Sequence, residues 1–190
     1  MIVNGAVRRP MGVAPGLGDA FWDPFRERNQ LFANDGAGHF RDISPANPAL
    51  CGTPGVYRAL CVGDIDNDGA LDLLVTATDA PAKLLRNVAP RPGHWLTVRA
   101  IDPELGGRDA YGAEVVVHAA GGRRWHRCIN PGYSYLSSND PRAHFGLGPI
   151  RQVERIEITW PDGSTQTFPG CAADEIIVIR KKEAKASGAS

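Results

Sequence analysis

The sequence predicts an all-β protein in two parts: a first half whose partial internal repeat reads as a partial β-propeller of little more than one blade, then a β-sandwich-like or partly closed barrel domain. Three observations carry that expectation. Short apolar runs recur along the chain, several of them alternating with polar residues, each bounded by Gly, Pro, Asn or Asp. Glycine (22) and proline (15) are plentiful in a chain of 190 residues, which suits many short strands joined by turns. No segment repeats its apolar residues at the helical period.

Composition sets outer limits on function. An apolar fraction of 43 % and a charged fraction of 22 % are those of a globular protein with a real core. The formal net charge is zero, so neither nucleic acid nor an anionic membrane surface is an expected partner. No apolar run approaches the length of a membrane span. Met1 to Ala6 is too short for the apolar region of a signal peptide, and Arg8 and Arg9 follow it.

Taken in order, Ile2 to Gly5 reads as the remnant of a strand equivalent to Leu74 to Ala77, so the chain is expected to start partway through a repeat. Residues 10–24, rich in Pro and Gly, read as an irregular excursion. Gln30 to Asn34 and Lys83 to Asn87 match in pattern at a constant offset, a partial internal repeat. Asn34 to Gly38 is a hairpin turn, because its Asp35-Gly36 pair accepts positive φ. Gly38 to Ile43, Tyr57 to Val62 and Leu71 to Thr78 are the strand candidates between the repeats. A propeller closes with typically about four to eight blades. A truncated N-terminus would account for the shortfall.

Between Val62 and Leu71 lies the densest chemistry. Asp64, Asp66, Asp68 and Asp72 alternate around Gly69, with no Lys or Arg nearby in sequence to neutralise them. Ca²⁺ takes about six to eight oxygens at roughly 2.3–2.6 Å, and a tight loop of alternating Asp supplies them. The expected ligands are the side chains of Asp64, Asp66 and Asp68, the carbonyl of Ala70 and the carboxylate of Asp72. An EF-hand would close with a Glu at its twelfth position, where this chain has Val75, so the loop is expected between strands. A metal-free Asx-type turn is the plain alternative.

A boundary is expected at Val88 to Gly93, where two prolines and a glycine interrupt any element. Beyond it, His94 to Ile101 reads as a strand, and Ala113 to Ala119 pairs with Arg124 to Ile129 around Gly121-Gly122. That two-residue loop would set Val117 opposite His126 and Val115 opposite Cys128, on one face. Ile156, Ile158 and Trp160 point inward from the next strand, with Glu157 and Thr159 outward. Pro161 to Ser164 turns the chain into Thr165 to Phe168, and Glu175 to Ile179 is the last strand. A polar, disordered tail follows over residues 181–190.

Cys51, Cys61, Cys128 and Cys171 form no C-x-x-C pair, which argues against zinc. Bridges Cys51–Cys61 and Cys128–Cys171 are open to an oxidising compartment, but free thiols are preferred, Cys61 and Cys128 as small core residues. His126 and Cys128 lack further ligands across the strand, so core packing is expected there. His144 is expected to fix the turn at Gly146 to Gly148 through a backbone hydrogen bond. Arg142 is expected to pair with Asp140 or reach Glu114. Ser134, Ser137 and Ser138 lack a G-x-S-x-G setting, and no catalytic residue is assigned.

With these residues in view, the chain resembles a known family over nearly its whole length. Gln30 to Gly36, Gly38 to Ile43 and Gly63 to Val75 resemble FG-GAP/VCBS repeats, the calcium-loop blades also found in integrin α-subunit propellers. Arg108 to Val115, Gly132 to Ser138, Asp140 to Gly148 and Ile158 to Gly163 resemble the ASPIC/UnbV domain. The resemblance implies a propeller segment over residues 1–90, an ASPIC/UnbV β-domain over 94–180 and a tail over 181–190. It carries Ca²⁺ onto Asp64, Asp66, Asp68, Ala70 and Asp72, and implies a non-enzymatic protein. It further implies a secreted, cell-surface or periplasmic location, further blades of a longer chain, and an extracellular protein or glycan as partner. Relatives usually carry a signal peptide and several blades, neither of which stands in this sequence. The competing expectation is an accessory or enzymatic role in carbohydrate or enediyne-type natural-product metabolism. Exposure of Trp95, Trp125, Tyr133 and Tyr135 together would favour partner contact; their burial would favour a capping role.

Overall fold

The structure, a computed structural model, describes residues 1–7, 21–90 and 93–182. Arg8 and Arg9, most of the Pro/Gly-rich excursion, Arg91 and Pro92 of the boundary, and nearly all of the expected tail lie outside the described residues. The fold is all-β with several separate sheets and no barrel among the described residues. The longest helix described is the single turn α1, Pro48–Cys51. Among the described residues no helix is long and apolar enough to cross a membrane.

The described residues sort into two compact units. The first comprises Met1–Gly63, Leu71–Asn87 and Gly132–Ser138. Its β1 (Phe32–Asn34) and β2 (Phe40–Asp42) form an antiparallel hairpin. The turn between them is the one the Asp35-Gly36 pair announces: Gly36 and Gly38 have φ of 83° and 90°, and the Asn34 and Asp35 carboxamide and carboxylate accept backbone N–H groups two residues on. A second sheet orders β3 (Tyr57–Gly63), β4 (Asp72–Ala77) and β5 (Lys83–Leu85), all antiparallel. The two repeated segments thus both become strands, β1 and β5. The unit's core is small, built on Cys51, Val56, Tyr57, Ala59 and Val75.

The second unit comprises Asp64–Ala70, Val88–Pro131 and Asn139–Ser190. One sheet orders β10 (Ala143–Gly148), β6 (His94–Asp102) and β13 (Glu175–Arg180), with the short β7 (Arg108–Asp109) also on β6. The other orders β12 (Thr165–Pro169), β11 (Arg155–Thr159), β8 (Glu114–Ala119) and β9 (Arg123–Cys128). Inward residues of both sheets form one apolar cluster: Leu96, Val98, Phe145 and Leu147 from the first meet Val115, Val117, Ile156 and Ile158 from the second. This is a sandwich with a shared core. Ile156, Ile158 and Trp160 are buried as their alternation requires.

The β8–β9 register differs from the expected one. Val117 pairs with Trp125 and Val115 with Arg127, because three residues, Ala120, Gly121 and Gly122, make the connection instead of two. Gly121 and Gly122 both take positive φ (73° and 72°), which lets the extra residue be absorbed in the loop. A one-residue slip moves every side chain to the other face. His126 and Cys128 are therefore exposed rather than core residues, and His126 faces Glu114 at 3.4 Å. All four cysteines are free thiols; Cys51 is buried, and Cys61 and Cys171 half-buried.

The end of β13 is tied down electrostatically. Lys181 Nζ donates to Glu104 Oε2 and Asp162 Oδ2, both at 2.7 Å, and lies 3.6 Å from Asp102 Oδ2. The Lys181 ammonium, followed by the Ser164 hydroxyl and N–H, holds the Asp162 carboxyl well below its ordinary value of 3.8. A depressed carboxylate contributes stability that is fully present above its unfolded pKa and is lost as pH falls through the folded one. A Lys181→Met variant is accordingly expected to melt below the wild type at about pH 6, with the gap narrowing as pH is taken from about 4 towards 2. Parallel melting curves over that range would contradict the assignment.

Candidate metal centre

The acidic loop is the connection between β3 and β4, which pair at Gly63 and Asp72. Val75, at the twelfth position, sits in β4, so the loop lies between strands. Its sharp path uses two residues of positive φ: Asn67 at 58° and Gly69 at 86°. Asn tolerates this conformation; at Gly69 a second constraint applies, since a Cβ there would stand 2.1 Å from the Trp95 ring.

Three of the expected ligands are brought together. One carboxylate oxygen from each of Asp64, Asp66 and Asp72 falls within 4.8 Å of the others. Oxygens bound to one Ca²⁺ at about 2.4 Å can be at most about 5 Å apart, so this spacing suits that ion. The donors are all hard oxygens, with no Cys or His among them, which suits Ca²⁺ and not zinc. Asp64 and Asp72 are only 3 % exposed, an expensive place for bare carboxylates. Asp64 accepts the Asp68 N–H (3.0 Å) on Oδ1 and the Gly69 N–H (2.8 Å) on Oδ2, and Asp72 Oδ1 accepts the Asn87 N–H (2.8 Å). Each carboxylate oxygen keeps lone-pair capacity beyond one such bond. Asp68 lies outside the converging three; its Oδ1 accepts the N–H of Ala70 at 2.9 Å. Ala70 is buried at the loop's end.

The loop also has side-chain anchors from within the second unit that sequence reasoning missed. Arg142 pairs with Asp140 as expected, its Nε lying 2.8 Å from Oδ2 and 2.9 Å from Oδ1. Rather than reaching Glu114, its two terminal nitrogens donate to Asn67 Oδ1 (2.7 Å) and the Asp64 carbonyl (2.8 Å). The guanidinium is held further towards its charged form by the Asp140 hydrogen bonds. His144 does not fix the Gly146 turn. Its Nε2 lies 3.0 Å from the Gly69 carbonyl, and since a carbonyl only accepts, Nε2 carries the proton. The His144 ring stacks on Trp95 at 6.2 Å with an 8° interplanar angle. The sequence separation of these partners, 75 to 78 residues, left no local signal to find them.

The aromatic residues divide. Tyr133 and Tyr135 are 68 % and 64 % exposed, whereas Trp95 and Trp125 are half-buried. Ser134 Oγ accepts the Leu60 N–H at 3.1 Å, a structural bond that ties its segment to β3.

Residues 16–75 match the FG-GAP-like repeat family and residues 104–186 match the ASPIC and UnbV family, in keeping with a β-hairpin carrying an acidic loop and a β-sandwich in those stretches. Cartilage acidic protein 1 from several vertebrates is similar to part of this chain. The Xenopus tropicalis protein is 37 % identical over 109 residues, which is 56 % of this chain and 16 % of that protein. The mouse protein is 36 % identical over 115 residues, 59 % of this chain and 17 % of its own length. The human protein is 36 % identical over 115 residues, 59 % of this chain and 16 % of its own length. The matched stretch therefore spans about one sixth of these relatives.

Proposed function

We propose that this chain is a non-enzymatic, calcium-stabilised binding protein that works outside the cell. The observation that carries the reading is the convergence of Asp64, Asp66 and Asp72 oxygens on one point, two of them buried. Asp64, Asp66, Asp68, Ala70 and Asp72 are the ligand set, with Asp68 turning from the Ala70 N–H towards the ion. Bound Ca²⁺ would cancel the mutual repulsion of the carboxylates and fix the connection between β3 and β4. Everything else in the site is positional: the backbone N–H groups of Asp68 and Gly69 orient Asp64, and that of Asn87 orients Asp72.

The exposed Tyr133 and Tyr135 support an extracellular protein or glycan as partner, because such rings offer large, rigid, amphipathic contact area. Exposed Leu74 and Leu84, on β4 and β5, are the surface this reading assigns to further propeller blades. The similarity to cartilage acidic protein 1 is the support for a secreted location.

The test is a calorimetric Ca²⁺ titration of the chelator-stripped chain, with thermal melting in calcium and in EDTA. Uptake of one ion and a higher melting temperature in calcium are expected. An Asp64→Asn variant should weaken uptake by at least about 100-fold, since it removes a charged ligand oxygen from a buried position. Absence of uptake by the wild type at about millimolar Ca²⁺ overturns the reading, that concentration being the weak end for extracellular calcium modules.

A further inference from the structure

We propose that Arg142 and His144 are positioning residues for the acidic loop, holding Asp64 to Ala70 in its ion-receiving shape before any cation arrives. The inference rests on the calcium reading above and concerns residues to which that reading gives no role. Four neighbouring carboxylates repel, and a loop held only by its own turns would splay when empty. This loop is instead gripped at three points, two backbone carbonyls and one side chain. Arg142 takes the Asp64 carbonyl at 2.8 Å and the Asn67 side chain at 2.7 Å. His144 takes the Gly69 carbonyl at 3.0 Å. The grips flank Asp66 and Asp68 on both sides.

Each grip is itself fixed. Asp140 engages the guanidinium and also accepts the Arg142 N–H at 2.9 Å, so the fork cannot swing away. Because Asp140 balances the guanidinium charge, Arg142 stands beside the loop without adding a net positive charge that would oppose a cation. His144 lies in β10 and Arg142 immediately precedes that strand; β10 pairs with β6, His144 opposing Thr97 and Gly146 opposing Trp95. The indole of Trp95 then fills the space above Gly69 while its ring stacks on His144. His144 thus rides on a paired strand of the sandwich, and Arg142 stands at that strand's entry, clamped by Asp140. A loop already ordered by its surroundings loses less entropy on binding, and such outer-layer hydrogen bonds typically raise metal affinity by about 10- to 100-fold.

Arginine is required for its geometry. Two separate terminal nitrogens reach two loop acceptors while Nε faces Asp140, an arrangement a lysine ammonium cannot reproduce. Hence Arg142→Lys, which keeps the charge, should still raise the Ca²⁺ dissociation constant about tenfold. His144→Phe should do the same, and His144→Gln, which retains an N–H donor, should recover part of the loss. The measurement is calorimetric titration of each stripped variant beside the wild type, with circular dichroism confirming the fold. Unchanged dissociation constants in Arg142→Lys and His144→Phe overturn the proposal, even if both melt earlier in EDTA, since that pattern is a structural role alone. Loss in one variant only removes the other residue from the grip. Should Arg142→Lys fail to fold, the difference between His144→Phe and His144→Gln decides. A wild type that takes up no Ca²⁺ overturns the calcium reading and this inference together, whereas wild-type uptake with unchanged variants overturns this inference alone.

Discussion

A Gly69→Ala variant is expected to lose about 2–5 kcal/mol of stability, far more than an exposed loop glycine would. Two costs add. At φ of 86° an L-residue is strained by about 1–2 kcal/mol, because its Cβ crowds the following carbonyl. The new methyl group would also sit 2.1 Å from the Trp95 indole, which must move and disturb its stacking on His144. Displacing a packed ring costs about 1–3 kcal/mol. Thermal melting of the variant measures the sum, and a Gly69→Ala/Trp95→Ala double variant separates the parts. Trp95→Ala removes the clash and leaves the strain, so the two substitutions should be strongly non-additive. Strict additivity would mean that the indole and Gly69 do not compete for the same space. The Ca²⁺ titration of Gly69→Ala should weaken as well, since the Gly69 N–H that orients Asp64 moves with the residue.

The second large effect belongs to the sandwich core. Trp160→Ala should cost about 3–5 kcal/mol, the range for deleting a buried aromatic ring and leaving its volume empty. Trp160 is 1 % exposed and sits in the cluster formed by both sheets. It directly follows β11, and its carbonyl accepts the Gly163 N–H at 2.9 Å in the turn that leads to β12. The loss should appear as a lower denaturant midpoint in the transition carried by the second unit. Trp160→Phe should lose less, because much of the apolar volume stays and the indole Nε1, buried without a hydrogen-bond partner, is removed. A midpoint shift for Trp160→Ala no larger than that of a surface substitution would show that the ring is not part of the core.

Much of the fold is legible in the chain because its determinants are local. Ile156, Ile158 and Trp160 alternate with polar residues, and a period of two on one buried face has a single solution. Asp35-Gly36 marks a turn through its own backbone preferences. The acidic loop is visible for the same reason: its carboxylates, its asparagine and its glycine act within a few residues of one another. Register at β8–β9 was less legible. Ala120-Gly121-Gly122 can close either a two- or a three-residue loop, and the observed pairing buries Val115 and Val117 while leaving His126 and Cys128 outside. The parallel pairing of β13 with β6 has no local signature at all, since the partners are far apart in sequence and both are apolar runs.

The chain by itself determined the all-β class, the Asp35-Gly36 turn, the inward face of β11 and the acidic character of the β3–β4 connection. All of these follow from side-chain periodicity and backbone preference over a handful of residues. Tertiary structure alone decided that Arg142, His144 and Trp95 surround the loop and that the first two grip its backbone. The reason is physical: hydrogen bonds and ring contacts between residues some 75 positions apart exist only after the sandwich has brought β10 and β6 together. A local pattern can announce a charged loop, but the shape that loop holds is set by what packs against it.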